Sequence, residues 1–215
     1  MTTFKYDDSK IALEADARIG ERHLWAPHVI AIPKSLGLGQ YAMFYQSGGL
    51  DNDAAAIRVA FSDDLSNWKR SSEKALFEDI CVARDPMVIQ NGDVWIMYYT
   101  RCASREDRRS GVAYRISKNL LDWSAPQMAL VLGTETSMFN SGYTESPFVY
   151  KSEDWYYLSI TSYPIAWNHT QVFRSRSPFD FRTSSLVGSV NVHAAEIIKD
   201  AMGNEYFSHA GPGQG

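Results

Sequence analysis

Long apolar runs are missing from this sequence, and no window approaches the roughly 18 residues that a membrane-crossing helix needs. The first ten residues also lack the apolar core of a secretory signal, so the expectation is a cytoplasmic chain, or one without a targeting segment in this sequence, and no membrane partner. Cysteine is scarce. Cys81 and Cys102 are the only two, and neither falls in a CxxC or zinc-like spacing. A disulfide framework is thereby excluded, and both thiols are expected to be free. Runs of positive charge are absent too. With 25 acidic against 21 basic residues the net charge is -4, which speaks against a nucleic-acid partner. Arg101, Arg105, Arg108 and Arg109 are interrupted by Glu106 and Asp107 and read as a solvated loop. No group of histidine, cysteine and acidic residues has zinc-like spacing, so no cofactor or metal is expected, with calcium left open.

A repeat is present instead. Trp25-Ala26-Pro27-His28-Val29-Ile30, Arg84-Asp85-Pro86-Met87-Val88-Ile89, Glu145-Ser146-Pro147-Phe148-Val149-Tyr150 and His193-Ala194-Ala195-Glu196-Ile197-Ile198 share one outline. Each has two chemically unusual positions, usually a proline, and then an alternating apolar strand. Aligned on Pro27, Pro86, Pro147 and Ala195, they are 59, 61 and 48 residues apart. A second recurrence runs through Ser62 to Trp68, Ser117 to Trp123 and, in degenerate form, Pro178 to Phe181, whose closing aromatics are 55 and 58 residues apart. Between these landmarks lie short strands rich in β-branched and aromatic residues, separated by Asn-Gly, Gly-rich and acidic turns. Units of about 40 to 60 residues with four strands each are the mark of propeller blades, which stack because none buries both faces alone. The expected fold is therefore an all-β propeller in a single domain, with blades near 23–70, 82–125, 143–183 and 190–215, the last partial. A single β-sandwich is the rival fold.

Four motifs in order, WAPHV at Trp25, ARDPMV at Ala83, TESPFV at Thr144 and HAAEII at His193, make residues 23–215 resemble the five-bladed β-propeller glycoside hydrolases of the arabinanase, xylosidase and invertase grouping, most of all family 43-type enzymes. The resemblance implies a central channel lined by the first strand of each blade, and an oligosaccharide or glycoside as substrate. It also implies roles: Glu145 as general acid, Asp85 as the carboxylate that orients it and stabilises the transition state, and Trp25 as a wall for a sugar ring. The family's third carboxylate, on a blade ahead of the WAPHV blade, has no counterpart here. The stretch before Trp25 is too short for four strands of about five residues each. Asp7, Asp8 and Asp16 stand in that region without the motif. The chain is then a fragment, a reduced propeller that completes its ring with another copy, or a protein that does not use the usual third group. A carbohydrate-binding propeller without turnover is the competing function.

Breaking a glycosidic bond takes a proton for the leaving oxygen and a carboxylate on the opposite side. An acid at neutral pH must be kept protonated by low polarity or a neighbouring negative charge. Tyr143, Pro147 and Phe148 offer the first to Glu145, and Asp85 across a narrow channel would offer the second. Strand alternation turns Arg84 away from Asp85 unless the proline bends the chain, so Arg84 either reaches the substrate or Glu145, or anchors a neighbouring blade. His28 and His193, on channel strands, are candidates for hydrogen-bonding a sugar, as is Trp167 on a loop for stacking. Simple alternation places Glu196, three positions beyond His193, on the opposite face.

Overall fold

A computed structural model of the chain describes residues 10–48, 55–80, 82–104, 106, 109–132, 144–162, 168–200 and 202–210. It is an all-β propeller, built of four antiparallel sheets. The first holds β1 (His23–Ala31), β2 (Tyr41–Gly48), β3 (Ala56–Ser62), β4 (Lys69–Arg70) and β5 (Phe77–Glu78), with β4 and β5 both paired to β3. In the second are β6 (Arg84–Asn91), β7 (Val94–Cys102), β8 (Ser110–Ser117) and β9 (Gln127–Val131). The third comprises β10 (Thr144–Ser152), β11 (Trp155–Ser162), β12 (Thr170–Ser175) and β13 (Leu186–Val190). The fourth is the pair β14 (Glu196–Lys199) and β15 (Glu205–Ser208). The outer strands β9 and β13 follow the aromatic turns at Trp123 and Phe181. Among the described residues no helix is long and apolar enough to cross a membrane.

Alternation along the strands sorts the core into layers between sheets. On β7, Trp95, Met97 and Tyr99 pack with Phe44, Ile57 and Val59 of the first sheet, whereas Ile96 and Tyr98 pack with Leu158, Ile160 and Phe173 of the third. On β2, Ala42 and Phe44 face the second sheet, and Met43 and Tyr45 the other side, where Leu13 and Trp68 cover them. A strand buried on both faces needs apolar residues at successive positions, which explains the dense hydrophobic runs. Hydrogen bonds stitch neighbouring sheets: Ser110 Oγ lies 2.8 Å from Thr144 Oγ1, Tyr98 donates to the Pro178 carbonyl at 2.9 Å, and Ser159 donates to the Ala195 carbonyl at 3.0 Å. Within the second sheet, Gly111 sits where β8 and β9 approach so closely that a Cβ would lie 2.2 Å from the Leu130 carbonyl oxygen.

The recurring serine-to-aromatic turn has one mechanism. Ser62 Oγ accepts from the amides of Asp64 and Leu65 at 3.1 and 3.0 Å, and Trp68 Nε1 closes the turn on the Leu65 carbonyl at 3.0 Å. Ser117, Asn119, Leu120 and Trp123 repeat the pattern, Trp123 reaching the Leu120 carbonyl at 3.1 Å. Leu65 and Leu120 both take positive φ, at 64° and 67°.

Two expectations change here. Cys102 is buried and disulfide-bonded, not a free thiol; burial and the absence of CxxC spacing conceal such a pairing from sequence. Arg101 is not on a solvated loop: it lies within β7, with Nε 2.8 Å from Asp79 Oδ1. There Asp79 also takes Arg115 Nη2 at 3.0 Å, so one buried carboxylate offsets two guanidinium groups.

Candidate active site

The four repeated motifs build the same local device. Each motif carries a residue of positive φ at its second position: Ala26 at 45°, Asp85 at 53°, Ser146 at 52° and Ala194 at 52°. In the first three sheets the pairing register shifts at that point, between Trp25 and His28, Arg84 and Met87, and Glu145 and Phe148. Two residues therefore oppose one, which is a β-bulge. Left-handed backbone costs a non-glycine residue about 1–2 kcal/mol, and its repetition at one level of successive sheets marks a built site.

The bulge changes which side chains share a face. Glu145 pairs with Thr161 and Phe148 with Ser159, two residues apart on β11, so motif positions one and four lie on the same side. In the fourth sheet the Ala210 amide donates to the His193 carbonyl at 3.0 Å while Glu196 pairs with Ser208, the same spacing. The expectation that His193 and Glu196 face opposite ways is therefore corrected, because alternation counts the bulged pair as one residue.

Position one of each motif contributes Trp25, Arg84, Glu145 and His193. The last three meet. Arg84 Nη2 forms an ion pair with Glu145 Oε1, and His193 Nε2 stands 3.8 Å from Glu145 Oε2. Asp85 Oδ2 is 4.0 Å from Arg84 Nε and accepts the Ser146 amide of the next sheet at 2.9 Å. That amide is released from the ladder by its own bulge. In the fourth sheet the equivalent Ala194 amide is taken at 3.0 Å by Thr161 Oγ1. Arg84 thus reaches Glu145 and ties two sheets in one contact, since the bulge, not alternation, sets its direction. All four side chains are nearly buried, with 10–15% of their surface exposed.

Burial pushes the Glu145 carboxyl above its ordinary value; Arg84 works against this, Asp85 adds to it, and His193 again opposes it. The net direction is up. A carboxyl so placed can hold a proton in weakly acidic solution.

The remaining expected residues are dispersed. Trp25 is half exposed and stacks on His23, with ring centroids 3.9 Å apart and planes at 22°. His28 Nε2 lies 3.2 Å from the Val88 carbonyl of the next inner strand and its ring meets Phe148 edge-on, so it ties sheets together. Burial lowers the His28 pKa, against the opposing effect of the Val88 carbonyl, and favours the neutral ring. Trp167 and Tyr143, like Asp7 and Asp8, lie outside the described residues. Asp16 caps a turn through Arg18, with Nε 2.9 Å from its Oδ1. Sequence reasoning passed over His23 and Gln46, which flank Trp25; the alternating His-x-Trp ahead of the proline was the unused signal for the first. Among the described residues no group of three or more histidine, cysteine or acidic side chains is arranged to hold a metal ion.

No family model matches the chain, and no curated protein matches it. Solved structures do. An endo-arabinase from Bacteroides thetaiotaomicron aligns over 95% of this chain and 76% of its own, with a TM-score of 0.73 at 16% identity. A thermostable family-43 glycoside hydrolase aligns over 90% and 69%, with a TM-score of 0.69 at 18% identity. The α-L-arabinanase of Cellvibrio cellulosa, solved with arabinohexaose, aligns over 91% and 73%, with a TM-score of 0.66 at 15% identity. Likeness at this identity is one of fold: the chain has the β-propeller architecture of these glycoside hydrolases.

Proposed function

We propose that this chain is a glycoside hydrolase acting on an arabinose-, xylose- or related sugar-containing substrate. The observation that carries the reading is the environment of Glu145, a carboxyl raised by burial and by Asp85, where three of the repeated motifs converge. In this role Glu145 gives its proton to the leaving oxygen as the glycosidic bond breaks. Asp85, fixed by the Ser146 amide, keeps negative charge beside it and disfavours early ionisation. Water supplies the oxygen of the new bond and loses its proton to a general base. Trp25 offers an exposed indole face for a sugar ring, and Arg84 and His193 offer donors to its hydroxyls. The fold similarity to two arabinan-acting enzymes supports the sugar class.

The rival reading, a propeller that binds carbohydrate without turnover, draws on the ion pair with Arg84, which favours the ionised form of Glu145. Hydrolysis of aryl arabinosides, xylosides, fructosides and galactosides separates the two. On the substrate that is turned over, Glu145→Gln is expected to lower kcat by about 10²–10⁴-fold with affinity nearly intact. Unchanged turnover sinks the assignment.

A further inference from the structure

Polar side-chain atoms buried without a hydrogen-bond partner among the described residues fall in two groups, one on each of the first two sheets. His23 Nε2 and both atoms of the Gln46 carboxamide belong to the first sheet, and Arg84 Nε, Thr100 Oγ1 and Arg101 Nε to the second. Arg101 Nε has Asp79 Oδ1 at 2.8 Å and is electrostatically offset although poorly aligned. The others sit on cross-strand pairs at the bulged ends of the first two sheets: His23 opposite Gly48, Trp25 opposite Gln46, and Arg84 opposite Thr100.

Gln46 is the sharpest case. It is 1% exposed, and its cross-strand neighbour on β3 is the fully buried Ile57. Alternation on β2 puts it on the Phe44 side, facing the second sheet that carries Arg84 and Asp85. His23 and Trp25 share that face, stacked on each other, and the His23 ring lies over Gly48, where a Cβ would be 3.2 Å from Nε2. A buried carboxamide with neither donor nor acceptor used is unfavourable for folding, and apolar residues of the same shape would be tolerated better. Local rules broken at one place in a fold otherwise consistent with them point to a ligand.

We infer that Gln46 is a specificity-determining residue, whose carboxamide hydrogen-bonds a hydroxyl of the sugar stacked on Trp25. The inference rests on the sugar-binding reading above. A hydroxyl both donates and accepts, and a carboxamide offers an NH2 and a C=O side by side, so the two match as an apolar ligand would not. His23 stacks on the Trp25 ring and adds a third unpaired atom on the same face of the first sheet.

The test is Gln46→Met in the full chain, close in shape and without the amide, with Gln46→Leu as a second variant. Thermal unfolding of the free protein and calorimetric titration with arabino- and xylo-oligosaccharides are the readouts. The melting temperature is expected to hold or rise by a few degrees, since a buried unpaired amide is removed. Affinity for the oligosaccharide that the wild type binds is expected to fall about tenfold, with KM raised and kcat unchanged if turnover is measurable. A lowered melting temperature means that the amide serves the fold, through an internal water for example, and overturns the inference. Unchanged affinity also overturns it, while the hydrolase reading stands. If the wild type binds no sugar of either series, both fall.

Discussion

Replacing Glu21 with glutamine removes a negative charge whose side chain is fully buried against the first sheet. Its carboxylate accepts Tyr45 Oη at 2.9 Å, Arg70 Nε at 3.1 Å and the Asp16 amide at 3.0 Å, with Arg58 Nε at 3.5 Å. Glutamine keeps the shape but leaves two guanidinium groups without a counter-charge. Removing one partner of a buried pair costs about 3–5 kcal/mol, and the 22% exposure of Arg70 argues for about 3. For a chain of this length each kcal/mol moves the melting temperature by about 2–4 °C, so the drop expected at neutral pH is about 6–12 °C. The pH dependence has a definite sign. Burial alone would raise the Glu21 pKa, but Arg70, the Asp16 amide and Tyr45 bring it below the ordinary 4.5. The stabilisation is therefore present above the unfolded value and is lost as pH falls through the folded one, so the gap between wild type and variant closes in acid. Melting curves from neutral to acidic pH measure both. A Glu21→Gln protein that melts within about 2 °C of wild type at neutral pH would refute the reasoning.

Gly111→Ala forces a methyl group against backbone at 2.2 Å and is expected to destabilise by about 1–3 kcal/mol, read from denaturant unfolding; a neutral result would mean that β8 and β9 do not approach as described. Arg84→Met removes a cation that favours ionised Glu145, so the alkaline limb of kcat against pH is expected to move to higher pH. An unmoved or lowered limb would mean that Glu145 is not the titrating acid.

Much of the fold was legible because its signals are local. Pro27, Pro86 and Pro147 mark inner strands, and the turns ending in Trp68 and Trp123 are built from a serine and an Asx residue whose spacing is visible in the chain. The site was legible only in part. Glu145 and Asp85 occupy different motif positions, and what lets both reach one place is the left-handed residue before the proline. Nothing in Ala26, Asp85, Ser146 or Ala194 announces that backbone when each is read alone. Alternation consequently misdirected Glu196 and left Arg84 between two readings. The unpaired Gln46 amide depends on neighbours brought close only by stacking of the sheets.

The most direct test of the central claim is a crystal structure of Glu145→Gln with the oligosaccharide that the wild type cleaves. The account predicts the side-chain amide at position 145 within about 3.2 Å of the glycosidic oxygen, and a sugar ring on the Trp25 indole. A saccharide bound away from position 145, with Arg84 still engaged there, would contradict it.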